Sequence, residues 1–344
     1  MGGPAILCQG RCAVWEEPIG PAGVRLRDRA KSGPAPGQVS VRVRAAGLNH
    51  LDLWVVTGAQ RVQPPRVIAA DGAGVVESSG DPGWRPGDEV LFYPVSACWR
   101  CEPCRRGEHV HCARFAVLGE HSDGAACELV TLPAQNVYPK PASLSWAEAA
   151  ALPLAYLTAW RMIVTRARLS PGETLLVVGG SGAVGTAAVL IGCHLGARVL
   201  ATTRSGAKAG ALAAMGADRV FGSSGFSRDV LDATDGRGVD VVVDHVGAAT
   251  FDESLRSAAP GGRVTTCGAT SGLVTGLNLP RVFVRHLEIL GSTAGNAGEF
   301  ASLVAAAGDG LRPAVAKVFP FPLVADALAF LTTATQIGKV VLVM

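Results

Sequence analysis

Cys98, Cys101, Cys104 and Cys112 follow the spacing C-x2-C-x2-C-x7-C, with Pro103, Arg105, Arg106 and Gly107 between them. Four thiolates so close in sequence match a closed tetrahedral zinc site, and nearby basic side chains favour thiolate over thiol. With every position filled by protein, such a zinc has no open coordination site. It is therefore expected to hold a loop, not to perform chemistry. His109 and His111 lie close enough to compete as ligands, but read as surface residues. The other cysteines, Cys8, Cys12, Cys127, Cys193 and Cys267, show no ligand spacing and read as small apolar side chains.

A second chemical signal is a glycine-rich turn. Thr174 to Val178 is a β-branched and leucine run, followed by Gly180-Ser181-Gly182-Ala183-Val184-Gly185 and an apolar helical pattern through Ala187, Ala188, Leu190 and Ile191. A G-x-G-x-x-G between strand and helix lets backbone N–H groups approach a pyrophosphate at the helix N-terminus. About 20 residues on, an NAD site carries an acid for the adenosine ribose. Here the sequence is Thr202-Thr203-Arg204-Ser205-Gly206-Ala207-Lys208, which has no carboxylate. Arg204 and Lys208, with the Thr203 and Ser205 hydroxyls, suit a 2′-phosphate instead. The expected cofactor is NADPH; ordinary solvated charges after a strand are the alternative.

The elements that must position these groups fall into two textures. Up to about residue 150, short β-like runs such as Val39 to Arg44 and Gly74 to Glu77 alternate with Pro and Gly clusters, as in antiparallel sheets. From about 153, strands expected at Thr174–Val178, Arg198–Thr202, Val239–Asp244, Arg263–Cys267 and Leu287–Gly291 alternate with helical stretches, which predicts a parallel sheet of βαβ units. A helical stretch near 301–307 and a last strand, Lys339 to Met344, follow.

The chain has 344 residues, 49% of them apolar and 17% charged, a net charge of +3 and 43 glycines. Disorder and collagen are excluded, and so weak and scattered a basic excess argues against nucleic-acid or anionic-membrane partners. The start, MGGPAILCQGRC, does not read as a signal peptide, so a reducing, cytoplasmic setting is expected. Residues 174–197 carry no Asp, Glu, Lys or Arg, long enough for a membrane span. The glycines that interrupt them fit a soluble strand, turn and helix better.

A glycine-rich dinucleotide turn preceded by a four-cysteine lobe resembles the medium-chain dehydrogenase/reductase superfamily over essentially the whole chain. Supporting stretches are Ala45 to Asp52, Asp71 to Val76, Arg85 to Val90, Leu157 to Trp160 and Gly291 to Thr293. The resemblance implies an α/β protein: a Rossmann doubly wound parallel sheet (residues 153–292) inserted in a GroES-like mostly-β catalytic domain (1–152 and 293–344), with a zinc lobe at about 95–115. It also implies dimerisation along the last Rossmann strand.

Departures from the zinc alcohol dehydrogenases of that family bear on function. Asn49 stands at the catalytic-zinc Cys, Ala70 at the His, Leu51 at the proton-relay hydroxyl, and Ala151 to Leu154 supply no third ligand. A Lewis-acid zinc needs two or three strong ligands and an open position. The chain therefore resembles the quinone oxidoreductase and enone reductase branch, delivering hydride from NADPH to a small electron-poor acceptor. The resemblance implies that Asn49 offers its amide to the acceptor and that Thr158 contacts the nicotinamide side. Asp52 orients the loop or simply bonds within it. His50 is a candidate proton donor or phosphate contact, or a packing residue. Tyr93 lines the pocket or packs with its hydroxyl at the surface. Cys267, Gly268 and Ala269 end a strand at the cofactor cleft, and Lys339 reads as a solvated charge or a phosphate contact. The alternatives are an alcohol dehydrogenase or carbonyl reductase with a catalytic zinc on His50 and Asp71, and an NADPH-binding protein without catalysis.

Overall fold

Alternation along the first strands decides which face they bury. The computed structural model describes residues 6–60 and 62–344, so residues 1–5, where the reading of the chain's start begins, lie outside the described residues. Strands β1 (Leu7–Trp15), β2 (Val24–Arg29), β3 (Gln38–Leu48), β4 (Arg66–Val67), β5 (Asp71–Ser79), β6 (Glu89–Phe92), β7 (Val95–Ser96), β8 (Ala116–Val117), β9 (Cys127–Pro133) and β10 (Val137–Pro139) come first. In β3, Val39, Val41 and Val43 are buried while Arg42 and Arg44 are exposed, the period of two that a pleated strand imposes. The sheet runs β10-β6-β5-β3-β9-β1-β2 with antiparallel neighbours. Its core gathers Trp15, Leu48, Ile68, Phe92 and Leu132, each almost wholly buried. Cys8, Cys12 and Cys127 belong to that core, with Cys12 opposite Cys127 across β1 and β9. The four-cysteine segment lies between the short pair β7 and β8.

The second sheet comprises β11 (Thr174–Val178), β12 (Arg198–Thr202), β13 (Arg219–Phe221), β14 (Val239–Asp244), β15 (Ala258–Thr266) and β16 (Glu288–Gly291). Its order is β13-β12-β11-β14-β15-β16, parallel throughout. All five residues of β11 are buried, as expected of a strand covered on both faces. The uncharged run 174–197 resolves into β11, a turn and the helix Ala183–His194. Among the described residues no helix is long and apolar enough to cross a membrane. β15 starts at Ala258, ahead of the expected Arg263. Gly261, at φ 74°, bends the chain inside the strand, so its Gly-Gly pair does not end the pairing with β14.

The chain then returns to the first sheet. β17 (Val315–Pro320) runs parallel to β18 (Lys339–Val343), and β18 lies antiparallel to β3. Two compact units result, Met1–Ala155 with Gly295–Met344, and Tyr156–Ala294. The fold class implied by the resemblance is thus observed: a mostly antiparallel β unit interrupted by a parallel α/β unit.

Candidate active site and metal centre

In the α/β unit, the turn after β11 is built by two close approaches. Gly179 has φ 79°, a conformation favouring glycine, and a Cβ on Gly185 would lie 2.2 Å from the Gly179 carbonyl oxygen. Gly179 N donates to Thr202 Oγ1 at 3.1 Å and Gly180 N to the Thr202 carbonyl at 2.8 Å, tying the turn to β12. Gly182 is the N-cap of Ala183–His194, so the N–H groups of Ala183, Val184 and Gly185 begin that helix. His245, at the end of β14, donates from Nε2 to the Gly179 carbonyl at 3.2 Å, and burial holds its imidazole below the usual histidine range. Gly179, Thr202 and His245 escaped the sequence reading. The Gly179-Gly180 doublet was the available signal for the first; the other two are set by strand neighbours.

Thr203 is buried at the end of β12, with its hydroxyl 3.5 Å from Ser181 Oγ and accepting from Ser205 N at 3.3 Å. Arg204 is exposed. Partial burial and the Arg204 charge hold the Lys208 ammonium below the ordinary lysine value. Two cations converge here beside the glycine turn. Thr158 is buried in the helix Pro153–Trp160. Cys267, Gly268 and Ala269 follow β15 at the carboxyl edge of the sheet, and burial pushes the Cys267 thiol up to about 12. The glycine cradle, its helix N-terminus and the cation pair fit a dinucleotide phosphate.

In the β unit, the Sγ atoms of Cys98, Cys101, Cys104 and Cys112 lie within 4.8 Å of one another. A tetrahedral zinc with Zn–S bonds of about 2.3 Å sets its sulfurs about 3.8 Å apart. Cys101 and Cys112 are 3.8 Å apart and Cys98 and Cys104 3.9 Å. Backbone N–H groups of Cys101 and Arg114 donate to Cys98 and Cys112 Sγ at 3.3 Å. Hydrogen bonds from the Arg100 and Cys101 backbone pull the Cys98 thiol down to about 6. The four side chains fit a structural zinc. His109 corrects the surface reading: it is buried, its ring 4.4 Å from that of Trp99, and Ala297 N donates to its Nδ1 at 3.4 Å. His111 is exposed beside Glu108.

Around β3, β5 and β18 lies a buried polar network. The register Val340↔Leu48 brings Lys339 beside Asn49. Lys339 Nζ donates to Asn49 Oδ1 at 2.5 Å and Asp71 Oδ2 at 2.7 Å. Asn49 Nδ2 donates to the same Asp71 oxygen at 2.9 Å, and Leu154 N donates to Asp71 Oδ1 at 2.7 Å. Lys339 is therefore neither a solvated charge nor a phosphate contact: its side chain is 0% exposed, and leaving Asp71 unpaired there would cost about 3–5 kcal/mol. Asp52 caps its own helix, accepting from Asn49 N at 2.7 Å and Ala69 N at 2.8 Å. Burial raises its carboxyl to about 6.

His50 opens the helix His50–Val56, exposed, with its ring edge-on to Trp54 at 5.1 Å. Lys339, Asn49 and Leu154 already donate to the Asp71 oxygens, and among the described residues the one cluster of three or more metal-ligating side chains is Cys98, Cys101, Cys104 and Cys112. Tyr93 is wholly buried and donates to the Gly295 carbonyl at 2.8 Å. Its ring packs with Phe300, Trp99, Tyr138 and His109. Tyr93 thus packs in an aromatic core, as the second expectation had it, but its hydroxyl is bonded to Gly295 and not at the surface, and it does not stand as a pocket wall.

Comparison with known proteins agrees with this arrangement. Residues 35–142 match the alcohol dehydrogenase GroES-like domain, and residues 183–308 match the zinc-binding dehydrogenase family. Acryloyl-coenzyme A reductase of Metallosphaera sedula is 30% identical over 93% of this chain and 96% of its own length. A solved NAD-dependent alcohol dehydrogenase is 40% identical, covering 97% of this chain and 99% of its own, with a TM-score of 0.91. A 2-octenoyl-CoA carboxylase reductase solved with NADP and 2-octenoyl-CoA is 26% identical, covering 99% of this chain and 88% of its own, with a TM-score of 0.87. The chain belongs to the zinc-type alcohol dehydrogenase-like medium-chain dehydrogenase/reductase superfamily.

Proposed function

We propose that the protein is an NADPH-dependent reductase of α,β-unsaturated carbonyl acceptors, with a thioester such as an enoyl-CoA as the preferred class. The observation that carries this reading is the Asp71 carboxylate, both of whose oxygens are held by Lys339, Asn49 and Leu154. Asn49 and Ala70 add no strong metal ligand beside it. An alcohol resists hydride removal without a Lewis acid or strong base. An activated alkene needs only a donor for the charge that develops on its carbonyl oxygen. The acryloyl-coenzyme A reductase likeness supports a thioester over the quinone that the sequence put first.

NADPH, held by the glycine turn, would supply hydride for the acceptor's β-carbon, with negative charge developing on the carbonyl oxygen. Asn49 donates from Nδ2 to that oxygen, and His50 returns a proton to the α-carbon. The turn Gly180, Ser181, Gly182, Ala183, Val184 and Gly185 offers N–H groups to the pyrophosphate. Thr203, Arg204 and Lys208 hold the 2′-phosphate, Thr158 flanks the nicotinamide, and Cys267, Gly268 and Ala269 offer backbone contacts. A zinc on Cys98, Cys101, Cys104 and Cys112 would keep their loop folded and take no part in turnover.

A second reading, an NAD-dependent alcohol dehydrogenase, is favoured by the 40% identity to a solved enzyme of that description. Cofactor oxidation or reduction measured against enoyl-CoA thioesters, quinones, aldehydes and alcohols, with product identification, separates the two. NADPH-dependent saturation of an enoyl-CoA is expected; NAD-dependent alcohol oxidation alone would overturn the proposal. NADPH affinity with turnover of no acceptor would mark a binding protein.

We also propose a homodimer. β16 is an edge strand, and Leu273, Val274, Phe283 and Val284 nearby in sequence are 90, 87, 64 and 67% exposed. Apolar side chains next to an unpaired edge suit a second copy of the chain. Sedimentation as a monomer at micromolar concentration would refute it.

A further inference from the structure

We propose that Lys339 is a positioning residue for acceptor reduction, acting through Asn49; the inference rests on the role given to Asn49 above. An ammonium only donates hydrogen bonds. At 2.5 Å from Asn49 Oδ1, with its side chain fully buried, Lys339 fixes which end of the carboxamide faces inward. A flipped amide would set N–H groups against an ammonium. With the oxygen held by Lys339, one Nδ2 proton goes to Asp71 Oδ2 at 2.9 Å, and the second has no protein acceptor among the described residues. That proton is the one Asn49 offers to the acceptor oxygen.

Hydrophobic side chains of similar volume often replace a buried pair at no cost in stability. What they cannot do is select one amide orientation. Asp71 completes the device: its Oδ2 binds both Lys339 Nζ and Asn49 Nδ2, and its Oδ1 is anchored by Leu154 N. The donor is thereby oriented before the acceptor arrives, which removes an ordering cost from the reaction. The antiparallel register of β18 on β3 places the ammonium there.

A double-mutant cycle tests this, read as kcat with an enoyl-CoA, NADPH Kd and melting temperature. Lys339→Met should lower kcat about 10- to 100-fold, with NADPH Kd changed less than about twofold. In an Asn49→Ala background the same change should lower kcat less than about twofold further, because the group it orients is gone. Should Lys339→Met fail to fold, Lys339→Met with Asp71→Asn removes both charges and takes its place in the cycle. Asn49→Asp keeps an oxygen for Lys339 but loses the N–H, and should lose kcat as Asn49→Ala does. Multiplicative kcat losses, or Lys339 variants that lose only melting temperature, would overturn the proposal. A wild type inert toward every enoyl thioester would instead overturn the functional reading, and the proposal with it.

Discussion

Partial burial of Lys208, and then the charge of the neighbouring Arg204 guanidinium, together hold the Lys208 ammonium below the ordinary lysine pKa. An anion bound beside these two like charges would offset their mutual repulsion. Arg204→Asp should therefore lower the ratio of kcat/KM for NADPH to that for NADH by about 10- to 100-fold, the worth of one or two charge-assisted hydrogen bonds. Steady-state kinetics with both cofactors measures it, and an unchanged ratio would remove the 2′-phosphate assignment.

Two glycines of the turn should respond differently. A Cβ at Gly185 would meet the Gly179 carbonyl oxygen at 2.2 Å, whereas one at Gly182 first meets His245 Cε1 at an ordinary 3.4 Å. Gly185→Ala should lower the melting temperature by several degrees, as overpacking costs about 1–3 kcal/mol. Gly182→Ala should leave melting within about two degrees and raise NADPH Kd at least about tenfold, since its methyl group intrudes on the phosphates. Calorimetry and fluorescence titration separate the effects; a Gly182→Ala variant with unaltered NADPH Kd contradicts the cradle.

One zinc per chain is expected by elemental analysis of purified protein, and Cys101→Ser should abolish most of it with a fall in melting temperature. Partial removal by chelator should lower stability before it alters kcat per folded molecule. Two zincs per chain would require a second, catalytic site that His50 and Asp71 do not build.

Asp52 gives a pH signature. Its carboxyl rises from 3.8 to about 6 on folding, because burial outweighs the N–H groups of Asn49 and Ala69. The folded state thus holds the proton more tightly than the unfolded chain. The contribution to stability is fully present below about pH 4 and is lost as pH rises through 6. Relative to Asp52→Asn, the wild type should lose about 2–3 kcal/mol of unfolding free energy between pH 4 and pH 7. Urea denaturation of both at several pH values checks this; parallel profiles would show that Asp52 does not titrate on folding.

The four cysteines and the glycine turn were legible in the sequence because both are local. Their spacing alone brings sulfurs to zinc distances and glycines to one turn. Strands such as β11, β12 and β14 were equally plain, since a parallel strand buried on both faces must be continuously apolar. Alternation likewise marked the first sheet. Sequence also revealed which residues stand at positions 49 and 70. It misplaced Lys339 and His109 and put the Tyr93 hydroxyl at the surface, because residues of these types usually keep a polar end in water. Their environment comes from distant partners: Asp71 and Asn49 for Lys339, Gly295 and Phe300 for Tyr93, Ala297 for His109. Only the pairing of β18 with β3 decides that a lysine near the end of the chain meets an asparagine at position 49. A charge becomes internal when tertiary structure supplies its counter-charge, and no local pattern encodes where that partner will be.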